Sequence, residues 1–159
     1  MKKRILLPVI FFCHAISFGQ SNQAWMFGPM LHVNFGGGKI KPSFALEVSW
    51  WNYHGFPYSF DFAIELEKQK LRFYAEGQTG IGLAGLSAGP LVEYNSGDKT
   101  FSGGFQGSLW ANYFFGIDVR MRGSGGQFFF CPGAYLKLPG AIFSPNEDGD
   151  SNDWDFDWD

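Results

Sequence analysis

YSFDFAIELEKQKLRFYAEGQ, residues 58–78, reads as two alternating arms joined by a short polar turn. Phe60, Phe62, Ile64 and Leu66 share one face of the first arm, and Ser59, Asp61, Ala63, Glu65 and Glu67 share the other. The second arm sets Leu71, Phe73 and Ala75 against Arg72, Tyr74, Glu76 and Gln78. Period-two alternation is a strand signature and leaves no apolar helical stripe. With Gln69-Lys70 as the turn, Glu67 lies across from Arg72. Opposite charges placed so contribute roughly 0.2–1 kcal/mol.

The same alternation continues outward in both directions. It predicts strands at Trp25–Phe35, Phe44–Tyr53, Leu86–Tyr94, Phe101–Ala111, Tyr113–Arg122 and Gln127–Leu138, beside the two arms of the hairpin. Most are separated by turn chemistry such as Gly36–Gly38, Asn95-Ser96-Gly97-Asp98 and Gly123–Gly126. Trp110-Ala111-Asn112-Tyr113 has no Gly or Pro, so the turn there follows from length alone, with one long bent strand as the competing reading. Pro29 implies a bulge or distortion in the first strand. Eight strands on short connections, with no helix between them, predict an all-β, antiparallel up-and-down barrel. Closing the sheet on itself removes its edges.

The 159 residues include 22 Gly and 19 Phe, and only 17% are charged, which suits one β domain. Lys2, Lys3 and Arg4 precede the apolar run Ile5–Phe12, and Ser17 and Gly19 supply small residues before Gln20. This predicts a cleaved export signal over 1–19, a barrel over 20–139 and a tail over 140–159. Phe12 before Cys13 argues against a lipid anchor, and Cys13 and Cys131 fall in segments with different fates, which argues against a disulfide. Beyond the signal stand nine bases and all 15 acids, a balance of −6, and seven of those acids fall between Glu147 and Asp159. The body is close to neutral and has no basic face for nucleic acid.

Volume decides which face points inward. An eight-stranded barrel has an interior just wide enough for its side chains or one small ligand. The Phe, Leu, Ile and Trp residues of the apolar faces are too bulky for it. The opposite faces carry Ala45, Ser49, Ser59, Ala63, Gly89, Ser108 and Gly116, which fit. The bulky face is therefore expected to meet lipid, as in a membrane barrel. The inward face then holds a charge network of Glu47, Asp61, Glu65, Glu67, Arg72, Glu76, Asp118, Arg120 and Arg122, with Glu93 and Lys137. Unpaired charge in a lumen is costly, so a plug of interleaved pairs is expected. Trp25, Trp50, Trp51, Tyr53, Trp110 and Tyr113 fall at strand ends on one side and are expected to form an interfacial aromatic girdle.

With that signal, strand count, phase and girdle, the chain resembles the small eight-stranded outer-membrane β-barrel proteins of Gram-negative bacteria (the OmpA/OmpX type) over Trp25–Leu138. Gly133-Ala134-Tyr135-Leu136-Lys137-Leu138 is similar to the closing strand that barrel-assembly machinery reads. The resemblance implies an outer-membrane location with membrane lipid as partner and both termini on the periplasmic side.

No catalytic motif is present. His32, Ser43 and Glu67 all point inward near one rim, so a Ser–His–acid hydrolytic arrangement is the enzymatic alternative. The plainer reading makes His32 a lumen hydrogen-bonder, Ser43 a filler and Glu67 a partner of Arg72. His32, His54 and Cys131 lack metal-ligand spacing, and no cofactor is implied. In the tail, Trp154, Asp155, Phe156, Asp157, Trp158 and Asp159 alternate aromatic and acid. A self-repelling disordered segment is the plain reading, and a strand that docks on a protein partner is the sharper one. Asp148-Gly149-Asp150 does not match calcium-loop spacing. The composite expectation is a non-catalytic accessory subunit of an outer-membrane assembly. A soluble exported barrel for a small apolar ligand and a lipid-modifying enzyme are the alternatives.

Overall fold

A computed structural model of the chain describes residues 23–81, 83–112 and 115–139. The expected signal, Tyr113 and the acidic aromatic tail lie outside them. The strands are β1 Gln23–Gly36, β2 Lys39–Asn52, β3 Tyr58–Glu67, β4 Lys70–Gly80, β5 Ala84–Asn95, β6 Thr100–Asn112, β7 Gly116–Ser124, β8 Gln127–Tyr135 and β9 Leu138–Pro139. Sequential neighbours from β1 to β8 pair antiparallel, and β1 also pairs with β8 and β9, so the sheet closes. β9 continues β8, and the barrel is eight-stranded. At the Trp110–Tyr113 boundary β6 ends at Asn112 and a separate strand, β7, opens at Gly116.

The stagger of closure can be read from the pairing. Walking from Asp118 through Gly133, His32, Ser43, Glu67, Lys70 and Asn95 arrives at Thr100 on β6, whereas the direct β6 partner of Asp118 is Trp110. The offset from 100 to 110 is ten residues. For eight strands this implies a tilt of roughly 40–45° and an interior filled by side chains.

The seam between β1 and β8 is the irregular one. Its ladder joins Met30, Leu31 and His32 to Tyr135, Ala134 and Gly133, and resumes at Phe35–Phe130 on one side and Phe27–Leu138 on the other. The two breaks coincide with Pro132 and Pro29, which have no N–H to donate. The Pro29 carbonyl still accepts from the Leu136 N–H at 3.1 Å. Gly28 permits that crossing, because a Cβ there would sit 1.6 Å from the Leu136 carbonyl oxygen. The last strand, expected over Gln127–Leu138, is thus divided at Leu136-Lys137.

The hairpin of β3 and β4 departs from expectation in register. Its turn is Lys68-Gln69, with Gln69 at φ 64°, so Arg72 lies across from Glu65 and Glu67 lies across from Lys70. The difference is two residues, which preserves both faces.

The outward face is apolar along nearly every strand. Phe62 is 59% and Leu66 55% exposed, and Leu46, Phe105, Leu109, Ile117 and Phe128 are similarly open. The inward face is polar. A soluble barrel for an apolar ligand needs the reverse partition, and the structure does not have it. Two members of the expected girdle are also misplaced. Trp51 and Trp110 are buried inside the barrel and meet edge to face at 6.0 Å. They share the inward phase of Ser49 and Ser108, and phase overrides their position at strand ends. Trp25, Trp50 and Tyr53 do face outward or lie at the rim, with Trp50 stacked on Phe60 at 6.2 Å.

Phe62 tests the belt. Phe62→Arg should lower unfolding free energy by about 2–4 kcal/mol in lipid vesicles, while Phe62→Leu should cost under about 1.5 kcal/mol. Urea titration followed by tryptophan fluorescence measures both.

Candidate functional site: the charged lumen

Small inward residues make room for long ones. Ala45, Ser49, Ser59, Ala63 and Ser108 are buried on the inward face, as are Arg72, Arg120 and Arg122. Glu65, Arg72 and Arg122 are each 0% exposed. Glu65 takes two bonds from Arg122, Nη1 to Oε1 at 2.9 Å and Nη2 to Oε2 at 2.6 Å, and a third from Arg72 Nη1 at 2.6 Å. These are charge-assisted bonds, one pair of them bidentate, in a region screened from water.

Two branches leave this centre. Toward the end that holds the turns at 37–38, 68–69, 96–99 and 125–126 (the hairpin end), Arg72 donates to Glu67 at 2.7 Å and to Glu93 at 2.6 Å. Lys41 and Lys70 then meet Glu67 and Glu93 at 3.2 and 2.7 Å. Toward the end that holds Gln23 and Pro139 (the terminal end), Arg122 donates to Gln106, which donates to Glu76 at 2.6 Å. Arg120 lies 4.7 Å above the Tyr74 ring, donates to Asp118 at 2.7 Å and to Glu47 at 3.2 Å, and approaches Glu76 at 3.8 Å. Lys137 closes the branch on Glu47 at 3.0 Å and Asp61 at 3.8 Å. All nine residues of the expected network turn into the lumen, as do Glu93 and Lys137.

The hydrolytic arrangement does not assemble. His32, Ser43 and Glu67 are neighbours in register. The His32 Nε2, however, sits 2.9 Å from Asp118 on the far side of the seam. Ser43 Oγ and Glu67 instead accept from the Asn34 amide at 3.0 and 2.9 Å. Glu47, Asp61 and Glu76 bring carboxylate oxygens within 4.8 Å of one another. Lys137 and Arg120 already stand among them, where a metal ion would have to compete. Asn34 and Gln106 are network members that sequence reading missed. Their signal was phase alone, polar residues on the inward register of β1 and β6.

No family model matches the chain, and no curated protein matches it in sequence. Solved structures match in shape. The solution NMR structure of the de novo designed TMB2.3 aligns with a TM-score of 0.52 at 10% identity, over 75% of this chain and 98% of that one. This chain has the fold of a transmembrane β-barrel. Another designed transmembrane β-barrel gives 0.49 at 9% identity over 71% of this chain and 95% of that one. The attachment invasion locus protein Ail of Yersinia pestis gives 0.41 at 12%, over 73% and 97%.

Glu65 is the test of the plug. Removing one partner of a buried ion pair costs about 3–5 kcal/mol, because the other charge stays behind. Glu65→Leu should therefore destabilise by that amount, and the double variant Glu65→Leu/Arg122→Met should recover part of the loss. A double-mutant cycle by urea unfolding in vesicles measures it. Additive losses would show that Glu65 and Arg122 are not coupled.

Proposed function

We propose that this chain is a non-catalytic outer-membrane β-barrel, a structural or accessory component of a membrane assembly, with its terminal end in the periplasm and its acidic tail docking a protein partner. The plugged lumen carries this reading. Its charged side chains are linked by ion pairs from Lys70 at one mouth to Lys137 at the other. Such an interior holds shape, and it leaves no continuous aqueous path and no free nucleophile–base pair among the described residues. Function then falls to the lipid-facing belt and the two ends.

The terminal end supports docking by its chemistry. Its turns present exposed Phe56, Ile81, Leu83 and Phe115, and Ile81 is 85% exposed. Apolar groups gathered on one rim mark contact surfaces. The acidic aromatic residues of the tail add a segment with recognition chemistry.

Co-purification of the native protein in mild detergent tests the role. A partner should accompany the full chain and be lost on deletion of Pro145–Asp159. An unchanged partner list refutes docking, and recovery of the protein in a soluble fraction without detergent refutes the membrane location. In planar bilayers the purified barrel should give no steady channel steps. Regular steps would show that the plug opens.

A further inference from the structure

The barrel wall is continuous at most of its junctions. The β1–β2, β2–β3, β3–β4, β5–β6, β6–β7 and β7–β8 ladders run without a gap. The β4–β5 ladder has one, at Ala75 and Glu76 against Gly89 and Pro90. The seam of β1 with β8 and β9 has two.

The register shows what those two gaps remove. In an antiparallel pair, hydrogen-bonded and non-bonded positions alternate, and bonded partners exchange two bonds. The Leu136 N–H donates to the Pro29 carbonyl, so Pro29 and Leu136 hold a bonded position. Counting by twos, Leu31 with Ala134, Val33 with Pro132 and Phe35 with Phe130 are bonded positions too. Pro29 and Pro132 therefore both stand where the ladder calls for a donor, and a proline has none. The carbonyls of Leu136 and Val33 receive no bond from across the seam, and lipid supplies no substitute donor.

Side chains join the two sides instead, and each bridge passes over a glycine. His32 on β1 reaches Asp118 on β7 at 2.9 Å, across Gly133 of β8. A Cβ on Gly133 would sit 2.3 Å from the imidazole Cδ2. Glu47 on β2 pairs with Lys137, between β8 and β9, at 3.0 Å, across Gly28 of β1. Arg120 on β7 adds a second pair to Glu47 at 3.2 Å. These groups are buried, so water screens them little.

We infer that the β1–β8 seam is the part of the wall that opens first, and that the ion pairs on Glu47, with His32–Asp118, are the clasp that holds it shut. Interior charge thus closes a wall that its own backbone leaves two bonds short. The device belongs to the wall and stands whether or not the tail docks a partner.

The experiment follows hydrogen exchange of backbone amides by NMR on the full chain in detergent micelles. Leu31 and Ala134, a bonded position of the seam, should exchange about tenfold faster than amides of the unbroken β5–β6 ladder. Glu47→Gln should raise the seam rates about tenfold further, the scale of one hydrogen bond to a charged group, and leave β5–β6 unchanged. Lys137→Gln removes the same pair from its other side and should act alike. Glu93→Gln, whose partners Lys70 and Arg72 lie on β4, is the comparator and should leave the seam as it was. Pro132→Val returns an N–H to the Val33 carbonyl and should slow exchange at the seam. Seam amides that exchange no faster than β5–β6, or that Pro132→Val leaves unmoved, overturn the opening seam. Glu47→Gln and Lys137→Gln raising every strand alike, or acting on the seam no more than Glu93→Gln, overturns the clasp.

Discussion

Glu65 sits between two arginines inside a barrel too narrow to hydrate any of them. That constraint organises the rest of the molecule. The ten-residue stagger tilts the strands so that Glu65 on β3, Arg72 on β4 and Arg122 on β7 arrive at one level, although Glu65 and Arg122 are 57 positions apart in sequence. Each ion buried alone would carry a penalty of several kcal/mol, and together they satisfy one another. The inward small residues follow, because guanidinium groups reach across the lumen only where Ala45, Ser49, Ala63 and Ser108 leave space. The outward face follows as well. With charge committed to the interior, the Phe and Leu of the same strands face away from it, and lipid is the solvent that accepts them.

Much of this was legible in the sequence because the side-chain period of a strand is two. Alternation in residues 58–78 fixes two faces, and the mismatch between the volume of those faces and the lumen of eight strands fixes which is inside. The strand count survived even at Trp110–Tyr113, where turn chemistry is silent. Pairing partners were less legible. Lys68-Gln69 contains no Gly, Asn or Pro to mark a turn, so a turn one residue later fits the pattern equally well, and that moves the register by two and gives Arg72 Glu67 in place of Glu65 as its cross-strand neighbour. The error is benign for the faces and material for the network, since the centre of the plug is Glu65. The inward tryptophans show a conflict between two rules. Position at a strand end places Trp51 and Trp110 in a girdle, while phase places them inside. Phase wins because a strand cannot turn one side chain outward without a bulge. The division of the last strand depends on Pro29 lying opposite Lys137 and Leu136, a relation between distant segments that no local pattern contains.

The two ends of the barrel differ in a way that belt and plug together explain. At the terminal end Trp51, Trp110 and Tyr135 pack with Met30, and Lys137 lies over the Trp51 and Tyr135 rings at 6.0 and 5.6 Å. Rings fill the lumen there, around a small void of about 10 Å³ near Gln78 and Tyr135. At the hairpin end Lys39, Lys41 and Lys70 line the mouth with Asn34 and Gln127, and the interior widens into a cavity of about 210 Å³. The turns follow the same division. Lys68-Gln69 and Ser96–Lys99 are polar and end the apolar belt sharply, whereas Phe56, Ile81, Leu83 and Phe115 carry it past the strand ends. A belt about 25 Å tall spans the apolar layer of an outer membrane, and extra apolar rim on one side lowers the free energy of a barrel that sits deeper on that side. The same asymmetry that fills the lumen with aromatic rings therefore also bears on how the barrel sits in its membrane, with the lysine-lined mouth at the water and the apolar rim drawn toward lipid.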